Sequence, residues 1–231
     1  RIPYSDIKKK LTYTLPDYQT QCGCTDIMMH TMERYFNMSE NMELTDGISE
    51  ALIKTVMKHS KILKEHPDCY ESRAEVMWAS SLSHNDLTGC GTDGGDWACH
   101  QLEHEIGGMF DVAHGAGLAA VWGSWARYVY KARPERFAKF ARNIFNIQET
   151  DDEKAAVAGI EAMENYYQSV GMPTSLCELG IHATEEQIKE MADKCSFYGK
   201  RTVGVMKKIG APEAAEIYRM ANDKSIPLYS R

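Results

Sequence analysis

The chain has 231 residues, 43% of them apolar and 26% charged, with 26 basic side chains against 33 acidic ones and a net charge of −7. That length suffices for one large domain or two small ones with a full core, and the composition is that of an ordinary globular protein. An acidic balance without any Lys/Arg cluster argues against nucleic acid as a partner, and no apolar run nears the roughly 20 residues of a membrane span.

No basic stretch followed by an apolar one opens the chain, so nothing argues for export. Seven cysteines, at positions 22, 24, 69, 90, 99, 177 and 195, are odd in number and irregularly spaced. They read as reduced thiols of a cytoplasmic protein. Cys22-Gly-Cys24 has neither the longer spacer nor the second pair that a structural zinc knuckle needs.

In chain order, Leu11–Leu15 (LTYTL) alternates and carries β-branched residues, which predicts a short strand or an extended entry segment. Beyond it the pattern is helical. Helices are expected over Asp17–Phe36, Asp46–His66, Asp68–His84, Asp96–Met109, Ala116–Lys131, Pro134–Phe145, Asp151–Val170, Thr184–Cys195 and Pro212–Asn222. Thr45-Asp46, Thr150-Asp151 and Thr184 precede acidic first turns, and Pro134 and Pro212 sit where a first turn tolerates proline. Gly171 and Pro173 mark a helix stop and a loop. No repeat or linker interrupts the series, so the expected fold is one all-α helical bundle.

Three motifs carry possible chemistry. Gly89–Gly94 (GCGTDG) matches a dinucleotide-binding glycine pattern, but a helical stretch precedes it where the pattern requires a strand. A flexible turn leading into a helix capped near Asp96 is the better reading. His100, Glu103 and His104 form H-x-x-E-H, which on a helix would suit a zinc hydrolase with both histidines as ligands and Glu103 as base. Asp26 and His30, also four apart, lie in a segment flanked by Ile27, Met28, Met29 and Met32. Polar groups on so apolar a helix point to an enclosed site where they need partners. With His114 at a helix boundary, Asp26, His30 and His100 make up one carboxylate and three imidazoles. That set suits Fe(II), Zn(II), Co(II) or Ni(II), not calcium or magnesium.

The segments YQTQCGCTDIMMHTMERYF, GGDWACHQLEHEIGGMFDVAHGAGLAAVW and VGMPTSLCELGI resemble the iron-containing alcohol dehydrogenases, nearest the butanol dehydrogenase-like, aldehyde-reducing branch. The resemblance implies Asp26, His30, His100 and His114 as metal ligands, Fe(II) foremost. It gives His104 a catalytic, proton-relaying role beside the metal and the nicotinamide, so that H-x-x-E-H is coincidental and Glu103 is not the base. It implies NAD(P)H as cofactor, a small-molecule alcohol or aldehyde as substrate, and a dehydroquinate synthase-like C-terminal α domain. Residues 1–16 would then end a connecting segment from a nucleotide-binding domain that these 231 residues do not include, with 17–231 the metal-binding domain. That chain alone would bind metal without turnover, and a homodimer is admitted. Met109, Phe110, Trp122 and Trp125 are candidates to line an alkyl pocket. Gly123 stands where the family pattern has proline, which bears on a local bend and not on the ligands. The rival readings are the zinc hydrolase above and an inert helical metal-binding module.

Overall fold

The computed structural model describes residues 11–223. Among them, the segment expected as a strand is a single 3₁₀ turn, Thr12–Thr14, closed by the Leu15 amide donating to the Thr12 carbonyl. A strand needs a neighbour to pair with, and the described residues contain only an isolated bridge, Val203 with Ile209. Leu15 alone is extended, as the residue before a proline must be. The connecting segment expected over residues 1–16 falls largely on 1–10, outside the described residues.

Nine α-helices follow among the described residues: α1 (Asp17–Tyr35), α2 (Glu43–Glu65), α3 (Tyr70–His84), α4 (Ala98–Phe110), α5 (His114–Val129), α6 (Pro134–Phe145), α7 (Asp152–Ser169), α8 (Glu185–Cys195) and α9 (Ala211–Asn222). The all-helical expectation holds, and most ends fall within a residue or two of their signals. Asp151 accepts from the Lys154 amide, and Thr184 forms a reciprocal capping box with Gln187. Gly171 stops α7 in the left-handed region (φ 83°). No helix of the described residues is long and apolar enough to cross a membrane.

The bundle is organised around α5, which packs against α1, α4, α7 and α9. It is buried from Gly115 through Ala126, because small and apolar residues cover every face of it. Trp122 and Trp125 are each 1% exposed and meet Phe36, Phe137, Phe140 and Tyr167. These two tryptophans are therefore core and line no alkyl pocket; only Met109 and Phe110 stay partly exposed at its edge. Gly123 lies in mid-helix against the Arg127–Glu164 ion pair, and a Cβ there would meet the Glu164 carboxylate.

Two acids expected near helix starts have other duties. Helix α2 begins at Glu43, ahead of Asp46, and Asp46 is buried against Arg136 and Lys139. Asp96 does accept the Ala98 amide at the start of α4, but its other oxygen takes the amides of Val205 and Met206. Cys22 and Cys24 are buried in α1, and all seven cysteines are free.

Candidate metal centre

Helix α1 presents Asp26, His30 and Glu33 at spacings that share one face. The loop after α3 then folds back onto the end of α1. Gly95 makes that return feasible: its φ is 88°, and a Cβ would lie 2.4 Å from the Glu33 carbonyl, which accepts the Asp96 amide at 2.8 Å. Helix α4 starts immediately afterwards, so His100 comes down beside Glu33. Gly115 plays the matching part for α5, since a Cβ there would sit 2.1 Å from the Cys22 carbonyl. That close approach of α5 to α1 sets His114 against Asp26.

Three imidazole nitrogens converge on one carboxylate oxygen. Asp26 Oδ1 lies 3.6 Å from His30 Nε2, 3.6 Å from His100 Nε2 and 3.5 Å from His114 Nε2. Donors about 2.1 Å from one ion at tetrahedral angles stand about 3.4 Å apart. These separations match that figure and exceed a hydrogen bond. Asp26 Oδ1 and His100 Nε2 are buried without any hydrogen-bond partner, a costly state unless a cation lies between them. The residues thus fit a transition-metal ion.

Buried carboxylates orient two of the three imidazoles. Glu33 Oε1 accepts the His100 backbone amide at 2.9 Å and faces its Nδ1 at 3.1 Å. Glu103 Oε2 closes on His114 Nδ1. A carboxylate can only accept, so each Nδ1 carries a proton, which leaves Nε2, the nitrogen facing Asp26, as the one that can ligate.

The H-x-x-E-H residues do not work as one unit. His100 faces Asp26, whereas His104 gathers with Glu103 and His114, its ring 6.3 Å from that of His100 and 5.7 Å from that of His114. Glu103 is 1% exposed and committed to His114. Two residues near the centre escaped the sequence reading. Trp97, in the left-handed region, sets its indole edge against His30 and His100. His84 ends α3 with Nε2 3.7 Å from Asp26 Oδ2. His84 carries no spacing signal because it reaches the site from α3, and Trp97, the cap of α4, carries none because an indole is not a ligand type.

Residues 20–221 match the C-terminal model of the Fe-containing alcohol dehydrogenase family. The chain belongs to that family. An NADH-dependent butanol dehydrogenase A from Clostridium acetobutylicum is 35% identical over 221 residues, covering 95% of this chain and 56% of the relative. The structure of an NADH-dependent butanol dehydrogenase A from Thermotoga maritima superposes with a TM-score of 0.87 at 35% identity, over 93% of this chain and 55% of that one. The cofactor-free aldehyde reductase of Escherichia coli gives 0.86 at 29% identity, over 92% and 55%. The chain therefore lies in the butanol dehydrogenase-like branch and spans about half the length of these relatives.

The charge state of this domain prepares the centre for a cation. Burial pushes the His30 imidazole down to about 4, helped by neighbouring His100 and His84 and opposed by Asp26, so it is neutral and free to ligate. Burial also disfavours charge on His100, but Asp26 and Glu33 outweigh it and raise that group to about 9. At 3.6 Å the Asp26 contribution is charge proximity rather than a hydrogen bond. Burial would raise the Asp26 carboxyl, yet the three imidazoles hold it below its ordinary value. In the metal-free protein a proton on His100 offsets the Asp26 charge, and an entering ion takes over that role and releases it. Burial lowers His104 in turn, with His114 and His100 adding to the effect.

Proposed function

We propose that this chain is the metal-binding half of an NAD(P)-linked alcohol dehydrogenase that interconverts primary alcohols and aldehydes. The carrying observation is the convergence of three Nε2 atoms within 3.5–3.6 Å of Asp26 Oδ1. Asp26, His30, His100 and His114 would hold the ion, with Fe(II) first and Zn(II), Co(II) or Ni(II) compatible with the same donors. When bound, the ion would supply Lewis acidity toward an alcohol or carbonyl oxygen, and a nicotinamide would supply the hydride chemistry.

The chain's own residues do the rest. Asp26 provides the one anionic donor, while Glu33 and Glu103 keep the His100 and His114 lone pairs aimed inward. His104, exposed and neutral at physiological pH, takes the hydroxyl proton of an alcohol on an imidazole nitrogen and passes it to water. In aldehyde reduction it returns that proton. The nicotinamide would be carried by a further, nucleotide-binding domain joined through residues 1–16, with 17–231 as the metal-binding domain. The helical arrangement is read as a dehydroquinate synthase-like C-terminal domain, in a cytoplasmic protein for which a homodimer is admitted.

The test is metal content by mass spectrometry after anaerobic purification with iron, for the wild type and Asp26→Ala. It is paired with aldehyde-dependent NAD(P)H oxidation by a form carrying the nucleotide-binding domain. About one transition-metal ion per chain is expected in the wild type and almost none in the variant. Turnover is expected only in the longer form. Metal retained by Asp26→Ala, or a metal-loaded long form inert toward a panel of aldehydes, would sink the reading.

A further inference from the structure

We propose that His84 is a further donor to the metal centre, binding the ion through Nε2 on the Oδ2 side of Asp26. The inference rests on the metal centre of the preceding reading and assigns it a residue outside the Asp/His₃ set.

The tautomer decides the matter. His84 Nδ1 lies 2.9 Å from the Ser80 carbonyl oxygen and 2.7 Å from Ser83 Oγ. A carbonyl only accepts, and the Ser83 hydroxyl has its own acceptor in that same carbonyl at 3.0 Å. Nδ1 therefore carries a proton, and Nε2 is the nitrogen whose lone pair can take an ion. That lone pair faces Asp26 Oδ2 at 3.7 Å. Two acceptors set against each other repel unless a cation serves both. His100 and His114 show the same arrangement, with Nδ1 anchored and Nε2 turned to Asp26.

The placement of His84 is built rather than incidental. Arg34 on α1 donates to the Ser83 carbonyl at 2.6 Å, to Asp86 at 2.8 Å and to the His30 carbonyl at 3.0 Å. It clamps the last turn of α3 onto the turn of α1 that carries His30. The His84 ring lies 4.0 Å from the His30 ring, centre to centre. As the last residue of α3, His84 also stands at the negative end of that helix, where positive charge is favoured. Its side chain is 41% exposed against 6% for His100, so it meets the ion from the solvent side.

Cobalt(II) reports on coordination number without any turnover, because five-coordinate ions absorb visible light several-fold more weakly than four-coordinate ones. The whole chain is loaded with Co(II) as wild type, His84→Ala and His84→Asn. Both variants are expected to show intensified bands and to lose Co(II) to a chelator about tenfold faster or more, the scale on which lost support for a metal site is felt. Free imidazole added to His84→Ala should restore the weaker wild-type spectrum. Identical spectra and extraction rates in all three proteins would overturn the inference while leaving the Asp/His₃ centre in place. Faster extraction with an unchanged spectrum would overturn it too, since His84 would then hold the site without touching the ion. A wild type that takes up no Co(II) would remove both readings.

Discussion

Two of the places where this bundle buries charge handle it in opposite ways. Between α1, α2 and α6, Arg136 donates to both oxygens of Asp46 at 2.5 and 2.6 Å and to the Tyr35 carbonyl at 2.5 and 2.7 Å. Lys139 adds a further bond to Asp46 at 2.5 Å. Every polar atom of the Asp46–Arg136 pair is used. Around Asp26 the same kind of residues gather from four helices, yet Asp26 Oδ1, His30 Nδ1 and His100 Nε2 are buried with no partner. A closed ionic cluster holds helices together; an open one awaits something the protein does not itself contain.

Breaking the closed cluster should have the largest effect. Arg136→Ala leaves the buried Asp46 with Lys139 as its one remaining cation and strands the Tyr35 carbonyl, at a cost of about 3–5 kcal/mol. For a chain of this size that corresponds to a loss of about 6–20 °C in Tm. Thermal unfolding checks it, and metal content should not change. A Tm within two or three degrees of wild type, roughly 1 kcal/mol, would mean the cluster is less closed than its hydrogen bonds indicate.

Glu103→Gln sharpens the other side of the comparison. The amide can still accept from His114 Nδ1, but the negative charge that strengthens the ligand is gone. Metal affinity should fall by about 10–100-fold with little change in the metal-free Tm. Chelator competition measures the first quantity and calorimetry the second. Unchanged affinity would remove Glu103 from the centre and leave it as a packing residue.

The smallest effect is pH-dependent. Burial would raise the Asp46 carboxyl, but Arg136 and Lys139 outweigh it and hold the folded value below the ordinary one. A depressed carboxyl contributes stability that is complete above its unfolded value, about pH 4. That contribution is lost as pH falls through the lower folded value. Urea unfolding below about pH 4 should therefore show the wild type losing stability more steeply than Arg136→Ala. Parallel slopes would show that Asp46 titrates alike folded and unfolded.

The helices were legible in the sequence because their signals are local: capping residues, prolines at first turns and apolar spacing each act within a few positions. Asp26 and His30 could be read as sharing a face for the same reason, since a spacing of four fixes direction on a helix. His100 and His114 could be grouped with them as donors by residue type, and the family resemblance named the four as ligands, but neither reading reached His84. Leu11–Leu15 misled because alternation expresses a capacity for pairing, and no strand is there to pair with.

By itself the sequence determined the all-helical fold, the free thiols and the inventory of donor residues, all properties of composition and short-range pattern. Only the tertiary structure decided what each buried group faces. It turned Asp46 from a helix-start signal into the anchor of Arg136, and Trp122 and Trp125 from pocket candidates into core. It gave Glu103 to His114 and brought His84 to Asp26. These pairings join segments 11 to 90 residues apart. The approaches that bring His100 and His114 to Asp26 depend on glycines, Gly95 and Gly115, whose geometry is set by how whole helices pack.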